Sequence, residues 1–163
     1  MIILGIDPGT ATTGYSILSL DGDIIIPIEF DLIETSKDIS PEKRLSFIYQ
    51  ELENIIKKYS PDLMAIERVF FATNARTAIR VGQAIGVMML CAASSEVPVF
   101  EYAPGTIKKL ISGNGRADKK MMQQSLRKIF GPSIRSKAHK KTHFDNAADA
   151  LAVALCHVYY LRK

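Results

Sequence analysis

The sequence predicts a single α/β domain, spanning residues 1–163, in which a mixed β-sheet is covered by helices on both faces. Three observations carry that expectation. Three apolar runs succeed one another within the first 33 residues across short turns, as antiparallel strands do. The pattern then changes to helical and strand-like segments in alternation, the signature of parallel strands joined by helices. Finally, 163 residues of which 47% are hydrophobic and 23% charged suffice for one core and fall short of two.

The elements follow in order. Residues 2–6 form an apolar run read as a buried strand, and residues 14–20 return beside it across Asp7-Pro8-Gly9-Thr10. A third strand, residues 23–33, follows the turn Asp21-Gly22, and Pro27 places it at a sheet edge or on a bulge. Ser40-Pro41 opens a helix with a capping residue and a proline at its first position. Leu45, Ile48, Leu52, Ile55 and Ile56 then recur on one face as far as Tyr59. Residues 63–67 form a short buried strand, 74–93 a long helix nearly apolar from Val81 onward, and 97–102 the fifth strand. A short helix near 106–111, a helix over 118–130 stopped by Gly131-Pro132, a basic loop and a final helix over 144–161 complete the chain. The core stripe of that final helix is Ala148, Leu151, Ala152, Leu155 and Val158.

Composition narrows the function. Cys91 and Cys156 lie in apolar stretches and make neither a disulfide framework nor a zinc site, so a reducing cytoplasm is expected. Asp7 interrupts the opening apolar run where a signal peptide would continue, and the apolar stretch 81–93 is read as too short to cross a bilayer. The net charge of +4 is unevenly spread: residues 101–141 carry 11 of the 21 Lys and Arg but only two acids, Glu101 and Asp118. One basic surface on an otherwise acidic body is the electrostatic footprint of a nucleic-acid binder, although a solvated helical face has the same composition.

Acids fall where chemistry can use them. Asp7 ends the first strand and Glu67 the fourth; if those strands are neighbours, both carboxylates reach the same rim. Asp145 and Asp149, four apart, share a side of the final helix, with Asn146 adjacent. Carboxylates gathered from distant segments repel unless a cation sits among them, and hard oxygen donors suit Mg²⁺ or Mn²⁺. A two-metal phosphodiesterase needs such a ligand set. Each acid also has an ordinary reading, as a turn residue, a surface acid and a helix-start acid respectively.

The segments Gly5-Ile6-Asp7-Pro8-Gly9-Thr10 with Thr13-Gly14-Tyr15, Ile66-Glu67-Arg68-Val69-Phe70, Val81-Gly82-Gln83-Ala84 and Ala147-Ala148-Asp149-Ala150-Leu151-Ala152 resemble, in order and spacing, the RuvC resolvases of Holliday junctions. The resemblance spans essentially the whole chain. It implies a ribonuclease-H-like fold with a five-stranded mixed sheet, a homodimer, and magnesium-dependent symmetric nicking of four-way junctions, with two ions per site and 3′-hydroxyl and 5′-phosphate ends. It also implies a cytoplasmic partner complex for branch migration, of the RuvA and RuvB type.

Carried over by position, Asp7, Glu67 and Asp149 match acids of that family's site. The fourth place does not match: the family has an acid, or sometimes histidine, three residues before Asp149, where this chain has Asn146. An amide oxygen can ligate a metal but adds no charge and cannot serve as a base. A natural variant, compensation by Asp145, and a deliberate Asp→Asn change that keeps shape while removing charge are the open explanations; the third is preferred, and it predicts junction binding with poor cleavage.

The same resemblance places Lys108 and Lys119 near the scissile phosphate and Phe70 against an unpaired base at the junction centre. Arg76 and Arg80, one turn apart on the helix that follows, read from their spacing as phosphate contacts or, equally, as solvated charges. Exposed lysines and a buried phenylalanine are the ordinary alternatives. Gly82 and Gly86 read as a close-packing pair on a helix buried under the sheet, to which the resemblance adds a part in the dimer interface. Gly-Ile-Asp-Pro-Gly-Thr also resembles the first phosphate loop of actin-like ATPases and sugar kinases, but those need a second loop and an adenosine pocket for which this length leaves no room. A catalytically inactive nucleic-acid-binding relative and a nuclease of RNA–DNA hybrids remain as rivals.

Overall fold

The computed structural model describes residues 1–69, 75–131 and 141–162, and the side chains of 141–145 lie outside that description. Five strands form one sheet: β1 (Ile2–Asp7), β2 (Thr12–Asp21), β3 (Ile24–Glu34), β4 (Leu63–Glu67) and β5 (Val99–Tyr102). The helices are α1 (Pro41–Tyr59), α2 (Ala75–Ser94), α3 (Pro104–Ser112), α4 (Lys119–Phe130) and α5 (Lys141–Leu161). The sheet order is β3-β2-β1-β4-β5, with β1, β2 and β3 antiparallel and β4 and β5 running parallel to β1. β3 is an edge strand, and its register against β2 shifts beside Pro27, so the proline sits at an edge and at a bulge together.

Alternation along the central strands divides the core in two. Leu4 and Ile6 of β1, Ile17 of β2 and Met64 and Ile66 of β4 face α1 and α2. Ile3, Leu18, Leu63 and Ala65 face α5, with α3 and α4 beyond it. Asp7 and Glu67 have the parity of Ile3 and Leu63, so both belong to the α5 side.

Two glycines set how closely α5 lies on the sheet. A Cβ at Gly5 would come within 2.3 Å of the Ala150 carbonyl oxygen and 2.8 Å of the Ala154 Cβ, and one at Gly14 within 2.5 Å of the Asn146 carbonyl oxygen. Ser16 pins the contact by donating its hydroxyl to the Ala150 carbonyl at 2.9 Å. At the far end, buried His157 of α5 hydrogen-bonds the Tyr102 hydroxyl of β5 at 2.6 Å, and burial lowers its pKa.

Several expectations are corrected. The apolar stripe expected on α5 is too narrow: Val153, Ala154, Cys156 and His157 are buried as well, because the sheet covers one side of the helix and α3 and α4 the other. Gly82 and Gly86 are exposed, and among the described residues nothing stands within 4 Å of where their Cβ atoms would be, so they are not packed under the sheet. The expectation for the apolar stretch 81–93 is not among those corrected: the whole of α2, at 20 residues, is long and apolar enough to cross a membrane by length and composition only, and 28% of its most apolar window is buried within this chain. α3 begins at Pro104, which takes the first helical position after Ala103, two residues ahead of the expected start. α5 begins at Lys141, three residues early.

Candidate active site

The parallel register pairs Ile6 with Ile66, which sets Asp7 and Glu67 side by side at the C-terminal ends of β1 and β4. The third acid comes from α5. Held down by Gly5 and Gly14, its early turns lie against β1 and β2, and Asp149 projects toward the same rim. Asp7, Glu67 and Asp149 line one cleft of about 180 Å³ together with Lys108, Lys119 and an apolar wall of Pro104, Ile107, Met122 and Ala152. α3 supplies Lys108 from a helix closed at its C-terminal end by Gly113 in the left-handed conformation, φ 79°. α4 supplies Lys119, and its start is fixed by Asp118, whose carboxylate accepts from the Met121 N–H at 2.8 Å.

The electrostatics show what these neighbours do to one another. Asp7 is pushed up from 3.8 to about 8, first by burial, then by the charges of Glu67 and Asp149 and a hydrogen bond with Glu67; Lys119 opposes the shift. Glu67 is also raised, by burial first and then by Asp149, while the Asp7 hydrogen bond and Lys108 pull it back. Asp7 and Glu67 therefore share one hydrogen bond between their carboxyl groups, inside a cluster whose burial disfavours charge on both. Asp149 meets the Lys119 ammonium at 3.7 Å.

This donor set fits divalent metal. Three hard-oxygen ligands converge in a cleft where their negative charge is under-compensated, which is the condition a small cation relieves. Among the described residues no three His, Cys, Asp or Glu side chains form a ready coordination group, so the carboxylates must turn from their hydrogen bond and ion pair to share an ion.

Other predicted residues fall differently. Asn146 is half-buried one turn before Asp149, with its carbonyl over Gly14, the ladder partner of Asp7; it is not among the cleft-lining residues. Arg76 is exposed in the first turn of α2, outside the cleft. Phe70, the basic loop and the Asp145 side chain lie outside the described residues. The sequence reading missed the apolar wall, because Ile107 and Met122 have the spacing of ordinary core positions. The signal available was their place on the same helices as Lys108 and Lys119.

Three antiparallel strands followed by two parallel ones, with a final helix bringing an acid to the rim of β1 and β4, define a nuclease of the ribonuclease-H-like fold. Residues 3–157 match the family described as crossover junction endodeoxyribonuclease RuvC. The chain is 44% identical over 161 residues to the protein of that name from Desulforamulus reducens, covering 98% of this chain and 94% of the relative. It is 43% identical over 162 residues to that of Thermotoga petrophila, covering 99% and 94%. Its fold superposes with a TM-score of 0.87 on Thermus thermophilus RuvC in complex with Holliday junction substrate, at 28% identity over 99% of this chain and 95% of that one. The chain belongs to the RuvC family. It is an endodeoxyribonuclease of a divalent-metal-dependent family.

Proposed function

We propose that this chain resolves Holliday junctions by cutting two strands symmetrically at the cleft between β1, β4 and α5. The observation that carries the proposal is the convergence of Asp7, Glu67 and Asp149, with Lys108 and Lys119, on one cleft. In this reading the three carboxylates hold Mg²⁺, two ions per site with Mn²⁺ as a substitute. When bound, the metal supplies an activated water and charge stabilisation at the leaving oxygen. Lys108 and Lys119 neutralise the scissile phosphate and seat the backbone, and Pro104, Ile107 and Met122 make one wall of the cleft dry. Phe70 and Arg76 serve the junction centre and the neighbouring backbone.

The partner is a second copy of this chain. Ile79 and Leu90 of α2 are 62% and 59% exposed, and Gly82 and Gly86 leave room for close approach of another helix. A two-fold pair of active sites then matches the two-fold symmetry of a four-way junction, the substrate held in the complex of the Thermus thermophilus relative. A branch-migration complex of the RuvA and RuvB type and a cytoplasmic setting belong to the same reading.

The test compares nicking of a four-way junction, a linear duplex and an RNA–DNA hybrid in Mg²⁺, with Asp7→Asn as control. Selective paired nicks in the junction support the proposal; equal nicking of all three, or nicking that survives Asp7→Asn, contradicts it. A second reading, a junction-binding module without catalysis, is favoured by Asn146. Restoring the acid with Asn146→Asp raises cleavage by orders of magnitude if the amide is what impairs it; junction affinity with no cleavage by either version supports the binding module.

A further inference from the structure

Across the sheet from the catalytic cleft, the turn after Asp7 opens onto a second cavity. It measures about 220 Å³ and brings together Thr10 from the β1–β2 turn, Lys37 and Arg44 from around the start of α1, and Arg80 and Gln83 from α2, over an apolar floor that includes Leu45. Among the described residues its lining contains three cations and no carboxylate. Lys37, Arg44 and Arg80 make no ion pair or side-chain hydrogen bond among the described residues, in a chain where Lys57, Lys58, Arg68, Lys119 and Arg162 all find acids. Glu42, in the first turn of α1, takes the Ser40 hydroxyl and does not line the cavity.

One wall is fixed. Thr35 donates its hydroxyl to the Thr10 carbonyl at 2.6 Å and its N–H to the Ala11 carbonyl at 2.9 Å, tying the turn to the end of β3. Three like charges converging on one cavity raise their mutual repulsion unless an anion lies among them. Thr10 and Gln83 add a hydroxyl and an amide that can donate to oxygen, which fits a phosphate group. Thr10 is three residues beyond Asp7, so the two positions lie within about 10 Å along the chain. At about 3.4 Å of rise per nucleotide, that is a reach of roughly three nucleotides.

We infer that this cavity seats a backbone phosphate of the DNA strand that crosses the catalytic cleft, one to three nucleotides from the cut. The inference rests on the proposed junction cleavage and adds a positioning site to it: Arg44 and Arg80 grip the strand on the α1–α2 side while the scissile phosphate lies on the α5 side. A strand held at both points crosses the rim of β1 in one register.

The test measures junction binding in a chelator, so that no strand is cut, for the unsubstituted chain, Arg44→Gln/Arg80→Gln and Lys37→Ala. The junctions carry a single neutral methylphosphonate at successive positions around the cut. The expected result for the double variant is about tenfold weaker binding and a slope of log affinity against log salt shallower by about one. One methylphosphonate position within three nucleotides of the cut weakens the unsubstituted chain and leaves the double variant unaffected. Lys37 is exposed, so Lys37→Ala keeps the fold and gives a smaller loss at the same position.

Unchanged affinity and slope in both variants overturn the inference, as does a loss spread equally over every methylphosphonate position. A flat scan combined with thermal stabilisation of the unsubstituted chain by inorganic phosphate also overturns it, by assigning the cavity to a free anion. Selective binding and cleavage of junctions with insensitive variants refute this site alone, whereas an unsubstituted chain that ignores junctions refutes the proposed function with it.

Discussion

Replacing Asp7 by Asn removes the charge that the fold holds at greatest cost. The carboxyl stands at about 8 rather than 3.8, so holding it ionised in alkaline solution costs at most about 6 kcal/mol, at about 1.4 kcal/mol per pH unit. Burial is the largest cause and the charges of Glu67 and Asp149 come next; because that repulsion is shared, neutralising Asp7 alone is taken to recover roughly half, about 3 kcal/mol. The sign follows from proton binding: the folded carboxyl holds its proton more tightly than the unfolded one. Its contribution to stability is therefore fully present below pH 3.8 and is lost as pH rises toward 8.

With a chelator present, Asp7→Asn is expected to be the more stable protein at pH 8, by roughly 5–10 °C in melting temperature at about 2–4 °C per kcal/mol. The gap closes as pH falls to 4. Magnesium raises the melting temperature of the unsubstituted chain and moves Asp7→Asn much less, because the cation relieves the same repulsion that the amide removes. Thermal unfolding followed by circular dichroism at both pH values, with and without magnesium, measures all of this. A variant less stable than the parent at pH 8, or one with the same pH dependence, refutes the account of a strained carboxylate cluster.

Two further outcomes follow from the packing. Gly5→Ala leaves every acid in place, yet its new methyl group meets the Ala150 carbonyl at 2.3 Å and must push α5 off the sheet. The expected cost is about 3 kcal/mol or more by denaturant unfolding, with cleavage lost even under folding conditions because Asp149 shifts with the helix. Leu90→Lys places a charge on the exposed face of α2, where Leu90 is 59% exposed, and is expected to convert a dimer to monomers in sedimentation equilibrium; an unchanged mass contradicts the α2 interface.

The central strands and their acids were legible because a strand's two-residue period fixes which side chains share a face. Asp7 and Glu67 each end an apolar run, and parallel pairing of Ile6 with Ile66 was enough to bring them together. Asp149 was legible from its helix, but its approach to the rim depends on Gly5 and Gly14, whose role shows only when α5 lies across them. Periodicity also underestimated α5, since a helix sandwiched between a sheet and two other helices is buried on every side. The exposure of Gly82 and Gly86 was invisible for the opposite reason: an apolar helix reads the same whether its own chain covers it or another copy does. The cavity of Lys37, Arg44 and Arg80 joins residues from three separated segments, and no local pattern marks it.

The central claim is that Asp7, Glu67 and Asp149 together hold the metal beside the phosphate. Anomalous diffraction from a crystal of the junction complex soaked in Mn²⁺ tests it most directly. The account predicts manganese peaks within coordination distance of all three carboxylates, and their loss in Glu67→Gln. Strong peaks elsewhere on the protein, with none between these side chains, would contradict it.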